Sequence, residues 1–180
     1  APVTVPGVPD ADAIAAVLKI PPGEIADPAG ISIINAGLAT LLVPLGSPDT
    51  LLLLQPDQAN LKEFCIRNGI EIVLVHAPGG ILAGAPFRTR VFAPIFGYLE
   101  DPATGSGNAA FGYWLLARGL WDGKILAIAQ GPSRERPNLI RLMADASEKQ
   151  RMVFFGGNAV VRIEGEYLLF SDIGGNTIYK

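Results

Sequence analysis

The sequence has 180 residues, of which 49% are hydrophobic and 17% are charged, and its formal net charge at pH 7 is -3. This length fits one domain of ordinary size, so we expect residues 1–180 to form a single domain. The negative net charge, with no basic cluster beyond Arg134 and Arg136, excludes the electrostatic surface that nucleic-acid-binding proteins need. No apolar run is long enough to span a membrane, so we expect a soluble protein.

Cysteine and histidine are too few for a disulfide or a structural metal site. Cys65 is the only cysteine and His76 is the only histidine, so we expect no metal, and a cytoplasmic location. We interpret His76 as a partly buried histidine with satisfied hydrogen bonds and Cys65 as a small core residue. The scarcity of charges predicts that part of the apolar surface meets another domain or chain.

Two surface helices are predicted in the first half of the chain. Residues 10–19 have a possible cap at Asp10 and apolar residues at helical spacing, and Pro21 follows as a stop. Residues 56–69 have apolar residues at i, i+3 and i+4 starting from Leu61, with a glycine at the end.

Runs of strand length, bounded by glycine or proline, surround these helices. They cover residues 31–36, 38–43, 50–55, 70–76 and 87–92, and later 124–130, 138–143, 151–155, 159–163 and 167–170. In the run 87–92, Arg88 and Arg90 alternate with Thr89 and Val91. This alternation places both guanidinium groups on one face of the strand and leaves the other face free to be buried.

Residues 109–118 are nearly all apolar, which predicts a helix that is buried on every side. Arg118 stands in the last turn and Gly119 follows it, as is typical of a helix end. Strands of mainly antiparallel spacing around one buried helix define an α+β domain with its helix in the middle.

Polar chemistry is concentrated in residues 100–108, EDPATGSGN, directly before this helix. A helix start leaves backbone N–H groups unpaired and carries the positive end of the helix dipole, and Gly105 and Gly107 let a ligand approach closely. The stretch is therefore a candidate seat for a carboxylate or an oxyanion, with Asp101 beside it. Helix capping by the Ser, Thr and Asp residues alone explains much of the same pattern, so both interpretations stay open at this point.

A dinucleotide-binding loop is disfavoured, although Gly105, Gly107 and Ala110 match a loose glycine fingerprint. The residues before Gly105 do not form a hydrophobic strand, and no acidic residue stands at a strand end at the expected distance. The sequence also contains neither a nucleophile elbow nor a phosphate-binding loop with its lysine.

At residues 100–108 the sequence resembles the PhzF-like family of phenazine-biosynthesis type, which has the diaminopimelate epimerase-like fold. The family signature is close to EDPxTGSA followed by asparagine or histidine, and this chain reads EDPATGSGN. Further stretches agree in order, at residues 35–38, 42–45, 90–94, 130–131, 136–137 and 155–165. The resemblance is to the second, carboxy-terminal domain of the family.

This resemblance implies a curled antiparallel sheet around a central helix and an active site between two domains of similar fold. It implies isomerisation of a small carboxylate-bearing substrate by proton transfer, without cofactor or metal. Asp101 would be the acid–base or proton-relay residue. Thr104, Gly105 and Ser106 would bind the substrate carboxylate, and Gly157 would lie close to the ligand. Homodimers are common among such relatives.

The chain also departs from the family pattern. Ser106 stands where racemases of this fold that use two thiols have a cysteine, which disfavours thiol-pair chemistry. Gly107, Glu135 and Asn138 replace the usual alanine, glycine and serine, so the resemblance leaves the substrate preference open.

Two classes of function remain open from the sequence. The sequence matches nothing in the family's first domain, which carries a catalytic glutamate. We therefore expect the chain to be a half-site, completed by an amino-terminal companion domain or chain in a homo- or hetero-oligomer. The alternative is a non-catalytic ligand-binding or assembly module, and the presence of both Asp101 and Ser106 favours the enzyme.

Overall fold

The structure, a computed structural model, describes residues 2–79, 84–145 and 152–158, together with the backbone of residues 169–170 and 178–179. The two predicted surface helices are α1 (Ala11–Leu18) and α3 (Gln58–Arg67). The Asp10 carboxylate caps α1 by accepting a hydrogen bond from the Ala13 N–H at 2.8 Å, and Asp57 caps α3 in the same way. No helix in these residues is long and apolar enough to cross a membrane.

One sheet of nine strands forms the centre of the fold. Its strands are β1 (Val3–Val5), β2 (Ser32–Asn35), β3 (Ala39–Pro44), β4 (Ile72–Pro78), β5 (Phe87–Phe92), β6 (Glu100–Asp101), β7 (Leu126–Gln130), β8 (Asn138–Ala144) and β9 (Val153–Gly156). They lie in the order β1, β2, β3, β4, β5, β7, β8, β9, and β6 pairs with β5. Neighbours are antiparallel except β3 with β4 and β5 with β7, which are parallel.

Most of the predicted strands are found. Those predicted before residue 100 correspond to β2, β3, β4 and β5, and three later ones correspond to β7, β8 and β9. The run 167–170 overlaps β10 (Leu169–Phe170), which pairs antiparallel with β11 (Ile178–Tyr179). The strand predicted at 159–163 lies outside the residues that the structure describes.

The strand predicted at residues 50–55 is wrong, because the first part of this run lies in a helix, α2 (Pro48–Leu53). The Ser47 hydroxyl caps α2 by accepting hydrogen bonds from two backbone N–H groups of its first turn. Pro48 occupies the first helical position, where its missing N–H costs nothing. These helix-start signals outweigh the strand-length apolar pattern of the leucine run.

Alternate residues of the central strands belong to two hydrophobic clusters, one on each face of the sheet. The outer cluster joins the sheet to α1, α2 and α3, through Ile33, Leu41, Val43, Val73, Val75, Leu18, Leu51, Leu61 and Cys65. The inner cluster joins it to α4 (Gly105–Ala117), through Ile34, Leu42, Leu74, Val91, Phe111, Trp114 and Leu115. Cys65 is fully buried, which confirms its interpretation as a core residue.

The sheet curls around α4. This helix contacts β2, β3 and β4 as well as β8 and β9, which lie towards opposite ends of the strand order. Gly112 permits a close approach, because a Cβ atom there would lie 2.9 Å from Val153 Cγ1 and 3.1 Å from Leu142 Cδ1. The prediction of an α+β fold with a curled, mainly antiparallel sheet around a central buried helix is confirmed.

His76 of β4 lies on the inner face of the sheet, against α4. Its ring centroid is 4.5 Å from that of Phe111 and 4.7 Å from that of Trp114, and only 5% of the residue is exposed. Its Nε2 has no hydrogen-bond partner in the part of the chain that the structure describes. The interpretation as a partly buried, satisfied histidine is therefore wrong. Burial, with a smaller contribution from the Arg118 charge, lowers the pKa of His76 to about 3.

We expect acid to destabilise the protein through His76. Between the ordinary pKa of 6.5 and the folded-state pKa of about 3, the unfolded chain binds more protons than the folded chain. The free energy of unfolding therefore falls as the pH drops through this window, by roughly 2–3 kcal/mol at about pH 4.5. Urea unfolding at about pH 7.5 and 4.5 should show this extra loss in the wild type and not in His76→Leu. Equal losses in both proteins would contradict the assignment.

Candidate functional site

Residues 100–108 connect a strand of the sheet to the central helix. Glu100 and Asp101 form β6, which pairs antiparallel with the end of β5. The chain turns directly after Asp101, and α4 begins at Gly105. The short strand therefore holds the Asp101 backbone close to the N-terminus of the only helix inside the curl of the described sheet.

The Thr104 side chain does not cap α4, although Thr104 occupies the N-cap position. Its hydroxyl instead donates a hydrogen bond to Asp101 Oδ2 at 2.6 Å. The backbone N–H groups of Gly105, Ser106 and Gly107 have no hydrogen-bond partner among the described residues. Unpaired donors at the positive end of a helix dipole are the groups that bind anions at helix starts. Capping of α4 by the Thr104 side chain, one of the two interpretations of this stretch, is therefore absent from the structure.

A buried amide, Gln130, ties the turn before α4 together. Its Nε2 donates to the Asp101 carbonyl oxygen at 2.7 Å and to Thr104 Oγ1 at 3.1 Å. Its Oε1 accepts from the Thr104 N–H at 3.1 Å and from Asn108 Nδ2 at 2.7 Å. Both hydrogens of Nε2 and both lone pairs of Oε1 are used, so the orientation of this amide is fixed.

Asn108 extends this network into the helix. Its Nδ2 also donates to the Thr104 carbonyl oxygen at 2.7 Å, and its Oδ1 accepts from the Thr89 hydroxyl at 3.4 Å. Gln130, Asn108 and Thr89 are all fully buried. Sequence reasoning did not assign Gln130 or Asn108 to the site. The available signal was a polar residue at the end of an apolar strand, at Gln130, and one inside an apolar helix, at Asn108.

A pocket of about 610 Å³ opens beside the start of α4. Gly105 and Gly157 both line it, together with Asn138 and Phe155, so the structure brings together two residues that the resemblance places near the ligand. Asn138 Nδ2 donates to the Pro102 carbonyl oxygen at 2.7 Å, which fixes the turn at the pocket wall.

The remaining predicted site residues, Asp101, Thr104 and Ser106, do not line this pocket. They lie close in sequence to Gly105, which does. Asp101 is half-buried and Thr104 is buried, and the two are joined by the hydrogen bond between their side chains. Ser106 is half-buried in the first turn of α4, directly after the pocket residue Gly105. The described residues contain no group of three or more His, Cys, Asp or Glu side chains that could hold a metal ion.

The Phe155 ring lies directly against the backbone of Gly105, in the space that a Cβ atom would need. Phe155 is 56% exposed, so its ring is free to move into solvent. We expect Gly105→Ala to displace the ring at a cost below about 1 kcal/mol, because alanine also favours the helix. Ring resonances of Phe155 and urea unfolding measure the two effects. A decrease of more than about 2 kcal/mol in the free energy of unfolding would show that the Phe155 ring cannot move aside.

Glu100, the neighbour of Asp101, is held by Arg90 in a two-pronged ion pair. Arg90 Nε donates to Glu100 Oε1 at 2.9 Å and Arg90 Nη2 donates to Oε2 at 2.7 Å. Arg90 Nη1 also donates to the carbonyl oxygens of Leu51 and Leu54 at the end of α2, at 3.1 and 2.6 Å. One buried guanidinium therefore links the outer helix layer to the strand that carries Asp101.

Arg88, two residues earlier on β5, is 1% exposed. Its guanidinium donates to the carbonyl oxygens of Gly131 and Ser133, in the segment that follows Gln130. Burial lowers the pKa of Arg88, with a smaller contribution from the Arg134 charge. Arg88 and Arg90 are thus both buried. Each guanidinium connects β5 to a neighbouring segment, Arg88 to the residues after Gln130 and Arg90 to the end of α2.

Comparisons with known proteins agree with this architecture. A family model described as "phenazine biosynthesis-like protein" (PhzC-PhzF) matches residues 1–165. The chain is 31% identical over 141 residues to the trans-2,3-dihydro-3-hydroxyanthranilate isomerase of Pseudomonas fluorescens, covering 77% of this chain and 48% of that protein. It is also 31% identical over 136 residues to antisense-enhancing sequence 1 of Schizosaccharomyces pombe, covering 74% and 45% of the two chains.

The fold is also that of solved structures. A phenazine biosynthesis protein of the PhzF family from Bacillus anthracis superposes with a TM-score of 0.73 at 15% identity, over 87% of this chain and 55% of that one. This match confirms the diaminopimelate epimerase-like fold that the resemblance implied. The chain spans about half the length of the curated relatives it matches. On the family match and the shared fold, it belongs to the PhzC-PhzF family of phenazine biosynthesis-like proteins.

Proposed function

We propose that this chain supplies one half of the active site of a PhzF-type isomerase, which moves a proton on a small carboxylate-bearing substrate without a cofactor. The observation that carries the proposal is the turn of the Thr104 hydroxyl towards Asp101. This contact keeps the Thr104 side chain from capping α4, whose first three N–H groups are unpaired among the described residues, and it places the Asp101 carboxylate next to the N-cap residue. The name of the Pseudomonas fluorescens relative supports isomerisation as the reaction class.

In the proposed site the substrate carboxylate is bound at the N-terminus of α4. The donors are the N–H groups of Gly105, Ser106 and Gly107 and the Ser106 hydroxyl, since the Thr104 N–H and hydroxyl are already engaged within the protein. The macrodipole of α4 adds to the attraction. This arrangement fixes the position of the substrate relative to Asp101.

Asp101 acts as the acid–base or relay group of the proposed site. Its Oδ2 is occupied by the Thr104 hydroxyl, and Oδ1 has no hydrogen-bond partner among the described residues. We therefore assign proton uptake and delivery to Oδ1. Gly157 and the Phe155 ring lie at the wall of the adjoining pocket, where they contact the substrate in the proposed site.

The second acid–base group comes from an amino-terminal companion domain or chain. Isomerisation by proton transfer needs one group to remove a proton and one to deliver it on suitable sides of the substrate. This chain spans about half the length of its curated relatives. The resemblance places a catalytic glutamate in the family's first domain, and no motif of this chain matches it. A companion would also cover exposed apolar residues such as Leu139, Met143 and Phe154, in a homo- or hetero-oligomer.

The test begins with the protein isolated from its own host under non-denaturing conditions, whose mass by native mass spectrometry shows any companion. The isolated species is then incubated in D₂O with trans-2,3-dihydro-3-hydroxyanthranilate as the probe. We expect deuterium in the probe with the assembled species and none with the chain alone. Binding of the probe without exchange by the assembled species would contradict the proposal and favour a non-catalytic ligand-binding module.

A further inference from the structure

The hydrogen bonds around Gln130 determine where the single proton of the Thr104 hydroxyl points. Gln130 Nε2 can only donate hydrogen bonds, so Thr104 Oγ1 is the acceptor in their contact. The hydroxyl proton is then left for Asp101 Oδ2, which lies 2.6 Å away. The Asp101 carbonyl oxygen accepts the second Nε2 hydrogen and holds the same residue from its backbone side.

The same contact keeps Thr104 away from the helix. A threonine in the N-cap position normally accepts a hydrogen bond from the N–H of the second or third helical residue. Here the Oγ1 atom is held by Gln130 and Asp101, and the side chain makes no capping bond. The orientation of one buried amide therefore decides whether Thr104 caps α4 or contacts the Asp101 carboxylate.

We propose that Gln130 is a positioning residue: it holds the Thr104 hydroxyl on the Asp101 carboxylate and off the N-terminus of α4, which leaves that N-terminus free for the substrate. Its effect on the reaction rests on the proposed function, whereas its effect on Thr104 does not. Gln130 acts only through Thr104 and Asp101 and does not line the pocket.

The decisive variant is Gln130→Glu, tested at rising pH from about 8 to 10, because burial beside Asp101 raises the pKa of the introduced carboxyl and only its ionised form lacks every donor. Glutamate has the same shape and keeps an oxygen for the Thr104 N–H and Asn108 Nδ2, but replaces the Nε2 donor by an acceptor. The Thr104 proton is then drawn to residue 130, and its contact with Asp101 is lost. Gln58→Glu makes the same chemical change at an exposed position on α3 and serves as the control.

The readout is the side-chain rotamer of Thr104 in solution, from the three-bond NMR couplings of its methyl carbon to the backbone nitrogen and carbonyl carbon. We expect one rotamer in the wild type and in Gln58→Glu, and a changed or averaged rotamer in Gln130→Glu. In the assembled enzyme, deuterium incorporation should fall at least about tenfold in Gln130→Glu and stay within about twofold in Gln58→Glu. Thr104→Ser should keep most of the activity that Thr104→Val loses.

An unchanged Thr104 rotamer in folded Gln130→Glu would overturn the proposal, and so would a changed rotamer with unchanged exchange. If Gln130→Glu does not fold, the wild type still decides: slow hydrogen exchange of both Gln130 Nε2 protons supports the proposal, and exchange at the rate of a free amide overturns it. A wild type that catalyses no exchange contradicts the proposed function alone, because the rotamer measurement is independent of activity.

Discussion

Replacing Asp101 by asparagine is expected to abolish proton exchange into the substrate while leaving substrate binding nearly intact. Asparagine has the same shape, and its Oδ1 can still accept the Thr104 hydroxyl, so the turn before α4 keeps its geometry. An amide cannot take up and return a proton, and loss of a general acid–base group lowers the rate by roughly a hundredfold or more. Deuterium incorporation and calorimetric binding by the assembled enzyme measure the two effects separately.

Asp12→Asn is the matched control for this variant, because Asp12 lies exposed on α1, in a different layer of the fold. Its exchange rate and its affinity should equal those of the wild type. Undiminished deuterium exchange in Asp101→Asn would show that Asp101 takes no part in the proton transfer, despite its position next to α4.

Replacing Arg90 by methionine is expected to lower the free energy of unfolding by about 3 kcal/mol or more. The guanidinium is buried, and its loss leaves the Glu100 carboxylate and the carbonyl oxygens at the end of α2 without their donors. Breaking a buried ion pair by removing one partner typically costs roughly 3–5 kcal/mol. Glu100 retains some solvent contact, which places the expectation at the lower end of that range.

Urea unfolding of Arg90→Met and of Arg67→Met provides a matched comparison. Arg67 forms an ion pair with Glu63 on α3 in which both side chains are mostly exposed, so its loss should cost less than about 1 kcal/mol. Similar losses in the two variants would show that the Arg90 contacts contribute no more than a surface pair. Arg90→Lys should fall between the wild type and Arg90→Met, because lysine keeps the charge without the fork of donors.

The elements with strong local signals could be predicted from the sequence. The capping Asp10 predicts α1, the apolar spacing from Leu61 predicts α3, and the all-apolar stretch after Asn108 predicts the buried helix α4. The run at residues 50–55 is wrongly predicted to be a strand because leucine occurs in both helices and strands. The residues that indicate a helix, Ser47 and Pro48, precede the run. There the helix start, rather than the apolar pattern, decides the structure.

The site could be predicted only in part. The signature places Asp101 and Thr104 beside the start of α4, but their hydrogen bonds depend on Gln130, which reaches them from a different strand across 26 and 29 positions in the chain. The same holds for His76, whose burial between Phe111 and Trp114 follows from how the sheet curls. The two parallel strand pairings follow helical connections, α2 and α3 between β3 and β4 and α4 between β5 and β7.

In the proposed site the start of α4 binds a carboxylate beside Asp101. The most direct measurement is an NMR titration of the ¹⁵N-labelled assembled protein with 3-hydroxyanthranilate, an aromatic analogue of the compound for which the Pseudomonas fluorescens relative is named. We expect the largest shifts on the N–H groups of Gly105, Ser106 and Gly107. Saturable binding with its largest shifts elsewhere on the chain would contradict this expectation.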